Sequence, residues 1–429
     1  MILLQLVVVQ GVRAEGDVVV QLFNWDFARI ERAMPEIAEI GFTHVHVSPV
    51  QKSLENGRWW GRYQPVDYRV IEGLGTREEF RSLVAEGEKH GVKLVVDVVL
   101  NHMSAEFARV RRGKLVEVSF PDFGVEDFRA FRPLRDWDDE EEVREGWMFG
   151  ALPDLRTDRI EVQRKLGAHL QDLMELGAGG LRVDAARHIA PEELGAIFGE
   201  GGVDGLVLGE VSGEEAEILE PYVEAFPEMR LFDFGRLVTF VEGLEGERDF
   251  EEVLEAGKAD LPMGQSLKFV RNHDIERGQV NENEGLDDER FRVRSDAWQL
   301  AHAWLFGSQG GLPYVFVEDP ELRKGDLPRE TLDRAYLKAG VGFYREVVGK
   351  PQAVLRAEGD VLAWARGEER FVVLNRGEGR AVVRLGAEDL KAGWYRDVYS
   401  EARVELPAGG ELEIQAEGWR GYGFVREVN

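Results

Sequence analysis

From residue 18 to about residue 317, short apolar runs alternate with amphipathic segments. The runs VVVQL at 18–22, THVHV at 43–47, LVVDV at 94–98, GLRVD at 180–184, LVLGE at 206–210, LKFV at 267–270 and PYVFV at 313–317 have strand length and are rich in β-branched residues. Between them, segments 27–40, 77–90, 158–176 and 293–306 repeat their apolar residues at helical spacing. A weaker strand near Arg230–Phe234 completes eight. Strand alternating with helix predicts an α/β protein with a parallel sheet, and eight such strands predict closure into a (β/α)8 TIM barrel. An open doubly wound sheet is the alternative, but no G-x-G-x-x-G follows the first strand to support it.

After about Lys350 the pattern changes. Runs such as VLAWARG, RFVVLNRG, RAVVRLG and ELEIQAEG are separated by Gly and charged turns, which predicts a C-terminal antiparallel β-sandwich domain over 350–429. Residues 15–102 and 154–349 then make the barrel, and the charged, poorly periodic stretch 103–153 is a domain inserted after strand 3. Residues 1–14, MILLQLVVVQGVRA, fit either a signal peptide or an extra strand, since Ala14 follows an apolar stretch that no basic residue precedes. An extracellular location is expected, with the cytoplasm as the alternative. No apolar run approaches the roughly 20 residues of a membrane helix.

Four runs carry a carboxylate at or just after their end: DVVLNH at 97–102, GLRVDAARH at 180–188, LGEV at 208–211 and VRNHD at 270–274. A barrel collects such residues at one mouth, and each strand-helix unit spends roughly 31 residues. The step from Asp184 to Glu210 fits one unit and neighbouring strands. The step from Glu210 to Asp274 fits two units and skips a strand. From Asp97 to Asp184 a single step needs roughly 50 extra residues, which the stretch from Met103 to Pro153 supplies.

Charge narrows the partners. With 53 basic against 81 acidic side chains the net charge is −28, which repels nucleic acid and anionic membrane surfaces and suits a neutral substrate. The basic residues are 42 Arg and 11 Lys, a bias that fits either solubility in concentrated salt or a GC-rich genome. The absence of cysteine excludes disulfides, thiolate metal sites and thiol catalysis.

Three clustered carboxylates facing a neutral polysaccharide suggest glycoside hydrolysis. A retaining mechanism needs a carboxylate nucleophile and a protonated acid about 5–5.5 Å away, so Asp184 and Glu210 on neighbouring strands are the natural pair. Crowding raises the pKa of at least one acid. Arg182, two residues before Asp184 and on the same face of its strand, is expected to hold Asp184 ionised. His102, His188 and His273 each follow a strand end and can donate hydrogen bonds to sugar hydroxyls. Zinc is their competing use, though no HExxH pair occurs. In GRWWGRYQPVDY at 57–68, Trp59, Trp60 and Tyr63 read as a loop of sugar-stacking aromatics, with only one of the two consecutive tryptophans exposed.

These motifs, together with VQLFNW at 20–25, VHVSPV at 45–50 and WWGRYQPVDY followed by GTREEF, resemble glycoside hydrolase family 13, the α-amylase family, and most closely its animal and actinobacterial type. The resemblance implies endo-hydrolysis of α-1,4-glucans such as starch and glycogen by a monomer. It assigns Asp184 as nucleophile, Glu210 as acid/base and Asp274 as transition-state stabiliser. Arg182 and His273 orient them, His102 contacts the sugar, Tyr63 and Trp60 stack on it, Asp97 supports the site, and Arg187 and His188 line the leaving-group side. It also implies a structural Ca2+ held by the Asn101 side chain, the Asp154 carboxylate, the His188 carbonyl and a carbonyl near Arg144. Two departures accompany it. IERGQVNENEGLDDER at 275–290 lacks the Gly-rich loop of the animal enzymes. In some relatives two arginines and an asparagine bind chloride, matched here by Arg182, Asn272 and, in place of the second arginine, Tyr314, so chloride is not expected. Transglycosylation or isomerisation of small α-glucosides is the alternative activity, and a non-catalytic glucan-binding relative is the alternative class.

Overall fold

The computed structural model describes residues 16–255, 261–277, 289–318, 334–386 and 389–427. Residues 1–14 and most of the segment after the VRNHD motif lie outside the described residues.

Eight parallel strands close a barrel in chain order: β1 Val19–Phe23, β2 His44–Val47, β3 Lys93–Val99, β4 Gly180–Asp184, β5 Leu206–Gly209, β6 Arg230–Phe232, β7 Ser266–Phe269 and β8 Leu312–Glu318, with β8 returning to β1. Each coincides within about two residues with a predicted run. The reason is burial on both faces, by helices outside and packed side chains inside, which makes such strands near-continuous apolar runs. Every residue of β1, β2 and β4 is buried.

The helices follow their local signals. α1, Phe27–Ile40, starts where the Asp26 carboxylate accepts from the Arg29 N–H and ends at Gly41, whose φ of 106° suits glycine. α2, Arg77–His90, opens on a reciprocal Thr76–Glu79 capping box. One expectation is corrected: the helix predicted over 293–306 spans Trp298–Gly307. Arg294 is extended (φ −58°, ψ 147°), bonds Asp296 at 2.6 Å and lies 3.8 Å over the Trp419 ring, so a contact with the C-terminal domain overrides helical periodicity there.

Between β3 and β4 runs a segment with a hairpin, Ala108–Arg111 with Lys114–Val118, and a short helix, Glu140–Glu145. Bridges His102–Asp154 and Phe128–Leu155 stitch it to the barrel mouth. The C-terminal strands form a six-stranded antiparallel sheet, in the order Gln352–Glu358, Val361–Arg366, Arg370–Asn375, Arg420–Arg426, Gly393–Asp397, Arg403–Leu406. The pair Ala381–Gly386 and Glu411–Ala416 packs on it around Phe371, Val373, Leu385 and Leu412. Its other face, through Trp364 and Val372, joins the core around the barrel. Among the described residues no helix is long and apolar enough to cross a membrane.

Candidate active site

The barrel mouth gathers the predicted acids. Asp97 lies within β3, Asp184 ends β4, Glu210 follows β5, and Asp274 sits in the first turn of helix His273–Arg277 just beyond β7. β4 and β5 are neighbours and β6 separates β5 from β7, as the spacing requires.

Arg182 is the hub. Fully buried, its Nη1 donates to Asp97 Oδ1 at 2.9 Å and Asp184 Oδ1 at 2.7 Å, while Nη2 lies 2.8 Å from Glu210 Oε1. Breaking a buried pair of this kind costs about 3–5 kcal/mol, because the partner charges stay buried. Burial alone would raise Asp97, but Arg182 and His46 outweigh it and bring its pKa down to about 2. For Asp184 the balance runs the other way: burial pushes it well above the usual carboxylate range, Arg182 opposes, and Glu210 and Asp97 add to the rise. The expectation that Arg182 overcomes the crowding around Asp184 is corrected to this extent. One guanidinium is shared among three carboxylates, so its pull on Asp184 is divided with Asp97 and Glu210. Asp274 is raised too, by burial and then Glu210, and its own near contact is His273 Nε2 at 3.4 Å.

Aromatic rings floor and wall the pocket. Tyr63 donates its hydroxyl to Asp97 Oδ2 at 2.9 Å and stacks on His273, centroids 5.0 Å apart at 11°. His273 stacks on Phe23 at 4.8 Å, and its Nδ1 pairs with Gln21 Nε2 at 3.1 Å. A cavity of about 410 Å³ opens above, bounded by Trp59, Trp60, Tyr63, His102, Asp184, Glu210 and Asp274 on the barrel side and by Met148, Phe149 and Leu152 of the inserted segment. Trp59 and Trp60 are both half-buried and both face it, contrary to the expectation of one exposed ring. They lie in a 3-10 turn, Trp59–Tyr63, not in an open loop, and both rings border the cavity. His102 Nε2 is 3.0 Å from the Tyr63 carbonyl, and burial lowers its pKa to about 4, so it is neutral.

Two residues assigned to substrate contact do other work. Arg187 binds Glu140 Oε1 at 2.5 Å and the carbonyls of Ser212 and Trp137 at 2.8 and 2.7 Å. His188 Nδ1 is 2.8 Å from the Val143 carbonyl, with its ring edge-on to Trp137. Neither is among the residues that bound the cavity; both fasten the inserted segment to the barrel. Asn101 and Asp154 are buried nearby; among the described residues Asn101 Oδ1 has no hydrogen-bond donor, and Asp154 Oδ2 has Arg129 Nε 3.0 Å away. A buried carboxylate beside a buried amide oxygen suits a hard cation.

Sequence reasoning passed over His46. Its Nε2 lies 3.2 Å from Asp97 Oδ2 and its Nδ1 2.7 Å from the Tyr314 hydroxyl, and burial lowers its pKa. The available signal was a histidine between two valines inside a strand buried throughout. Ala185 also escaped notice: it holds the left-handed conformation (φ 48°) and donates its N–H to Glu210 Oε2 at 2.9 Å. A non-glycine residue held there is uncommon, and it aims a donor from one acid's strand at the next acid.

Known proteins match this arrangement. The description "Alpha amylase, catalytic domain" fits residues 25–202. An alpha-amylase-related protein of Drosophila lini is 38% identical over 95% of this chain and 90% of its own. The alpha-amylase of Streptomyces violaceus is 28% identical over 93% of this chain and 72% of its own. The crystal structure of alpha-amylase I from Eisenia fetida superposes with a TM-score of 0.81 at 22% identity, covering 97% of this chain and 98% of that one. With this fold, this set of acids and these relatives, the chain belongs to the α-amylase family of glycoside hydrolases, which act on α-glucans.

Proposed function

We propose that the protein is a retaining, endo-acting hydrolase of α-1,4-glucans such as starch and glycogen. The observation that carries this is the Arg182 guanidinium, whose two terminal nitrogens bind Asp184 and Glu210 from neighbouring strands beneath an aromatic-walled cavity. Retaining catalysis uses two carboxyl groups about 5–5.5 Å apart. The Eisenia fetida α-amylase I is known as a maltohexaose complex, which supports a linear glucan as the substrate class.

In the first step Glu210 gives its proton to the glycosidic oxygen as Asp184 attacks the anomeric carbon. The leaving chain departs with a new hydroxyl and the sugar becomes an ester of Asp184. The direct contact of Arg182 with Asp184, at 2.7 Å, favours ionisation there over Asp274, whose contact among the described residues is His273 Nε2 at 3.4 Å. In the second step the Glu210 carboxylate takes a proton from water, whose oxygen displaces Asp184 and restores the original anomeric configuration. Asp274 would accept hydrogen bonds from the sugar hydroxyls. Trp60 and Tyr63 would hold ring faces, and neutral His102, whose Nε2 proton goes to the Tyr63 carbonyl, would face the sugar with Nδ1 as an acceptor. Asn101, Asp154 and the backbone near His188 and Arg144 would hold a calcium ion, which would supply fixed positive charge between inserted segment and barrel.

Incubation with soluble starch tests the reading. Rapid loss of chain length with a mixture of maltooligosaccharides is expected. Glucose as the sole product, or disproportionation of maltose without net hydrolysis, would overturn it in favour of an exo-acting or transglycosylating enzyme.

Activity should also be indifferent to chloride. Arg182 is committed to three carboxylates, and the Tyr314 hydroxyl is occupied by His46, so an anion there would lack compensating charge and be costly to bury. Replacing chloride by acetate at constant ionic strength should leave kcat within experimental error. A several-fold drop that chloride alone restores would mean that another group supplies the missing charge.

A further inference from the structure

Arg129 sits in the inserted segment with its side chain 14% exposed and four carboxylates around its guanidinium. Nε is 3.0 Å from Asp154 Oδ2, Nη2 is 3.5 Å from Glu193 Oε2, and Nη1 is 3.6 Å from Glu145 Oε1 and 3.8 Å from Asp158 Oδ1. Its backbone is pinned, because the Arg129 N–H donates to the Asp154 carbonyl at 2.9 Å and the Arg129 carbonyl accepts from Trp147 Nε1 at 3.3 Å. The side chain is the part able to move.

Asp154 is the one carboxylate in the calcium set, and Arg129 Nε lies 3.0 Å from its Oδ2. Calcium takes carboxylate oxygens at about 2.3–2.6 Å. A dication on Asp154 Oδ2 would therefore face a guanidinium nitrogen across a single oxygen atom, and like charges that close in a buried site repel strongly. The other carboxylates give the guanidinium somewhere to go. Glu193 lies on the helix after β4, the Glu145 side chain is 48% exposed and can adjust toward it, and Asp158, shared with Arg156, adds negative charge at 3.8 Å.

We propose that Arg129 and calcium compete for Asp154. Without calcium the guanidinium is the cation that joins inserted segment to barrel; when calcium binds, Arg129 yields Asp154 and settles on Glu193, Glu145 and Asp158. This rests on the calcium reading above and adds that this chain carries its own substitute for the metal.

The test is calcium titration of the full chain by calorimetry, with thermal unfolding in chelator and in calcium at constant ionic strength. Wild type should bind one calcium weakly and lose little melting temperature in chelator. Arg129→Gln should bind calcium at least about tenfold more tightly, since a competing charge is gone. It should melt several degrees lower in chelator and recover when calcium is added, by mass action. Arg129→Lys keeps the charge, so it should stay folded in chelator with an affinity near wild type, even if the Gln variant folds only with calcium present. If wild type binds calcium and Arg129→Gln binds it no more tightly, the competition is overturned while the calcium site stands. If neither wild type nor Arg129→Gln binds calcium, both readings fall.

Discussion

Asp184→Asn lowers starch turnover by roughly three orders of magnitude or more, about 4 kcal/mol of barrier at 1.36 kcal/mol per tenfold. The substitution preserves shape at a site that is 9% exposed and removes the carboxylate proposed to form the glycosyl ester. Stability should change little. Arg182 keeps Asp97 and Glu210 as partners, and the amide relieves a carboxylate that burial already opposes. Maltooligosaccharide binding should persist, because Trp60, Tyr63 and His102 are untouched. The check is a reducing-sugar assay beside thermal unfolding. Residual activity above about a tenth of wild type, with the fold intact, would mean that another group is the nucleophile.

Much of this site is legible in the sequence because a barrel writes it there. Strands buried on both faces appear as unbroken apolar runs, and the mouth lies at their carboxyl ends, so an acid after such a run is already located. β6, Arg230–Phe232, is the weakest signal because it has only three residues. Contacts between distant segments are not legible. His46 and Tyr314 lie 268 positions apart and meet across β1 only when β8 closes the barrel. Arg187 and His188 follow the nucleophile closely enough to suggest substrate contact, yet their direction is set by Glu140, Val143 and Trp137, inside a segment with no periodicity to read. Arg129 has no motif at all; its significance depends on carboxylates that converge only in the folded chain.

The second large effect is that of Glu210→Gln, and it separates the two chemical steps. The amide keeps an oxygen that can accept from the Ala185 N–H, now 2.9 Å from Glu210 Oε2, but it cannot deliver a proton to a glycosidic oxygen or take one from water. On starch, whose leaving group is a sugar hydroxyl, both steps suffer, and turnover should fall by roughly three orders of magnitude. An aryl maltoside with a strongly acidic phenol needs no protonation to leave, so Asp184 can still attack it. The covalent sugar then waits, because no base activates water.

Stopped-flow absorbance of Glu210→Gln mixed with such an aryl maltoside is therefore the most direct measurement of the central claim, that Asp184 and Glu210 form a retaining pair. A burst of one phenol per enzyme followed by slow turnover, with the sugar recovered as an ester on Asp184 by mass spectrometry, is the predicted result. Equal loss on starch and on the aryl maltoside, with no burst and no adduct, would contradict it.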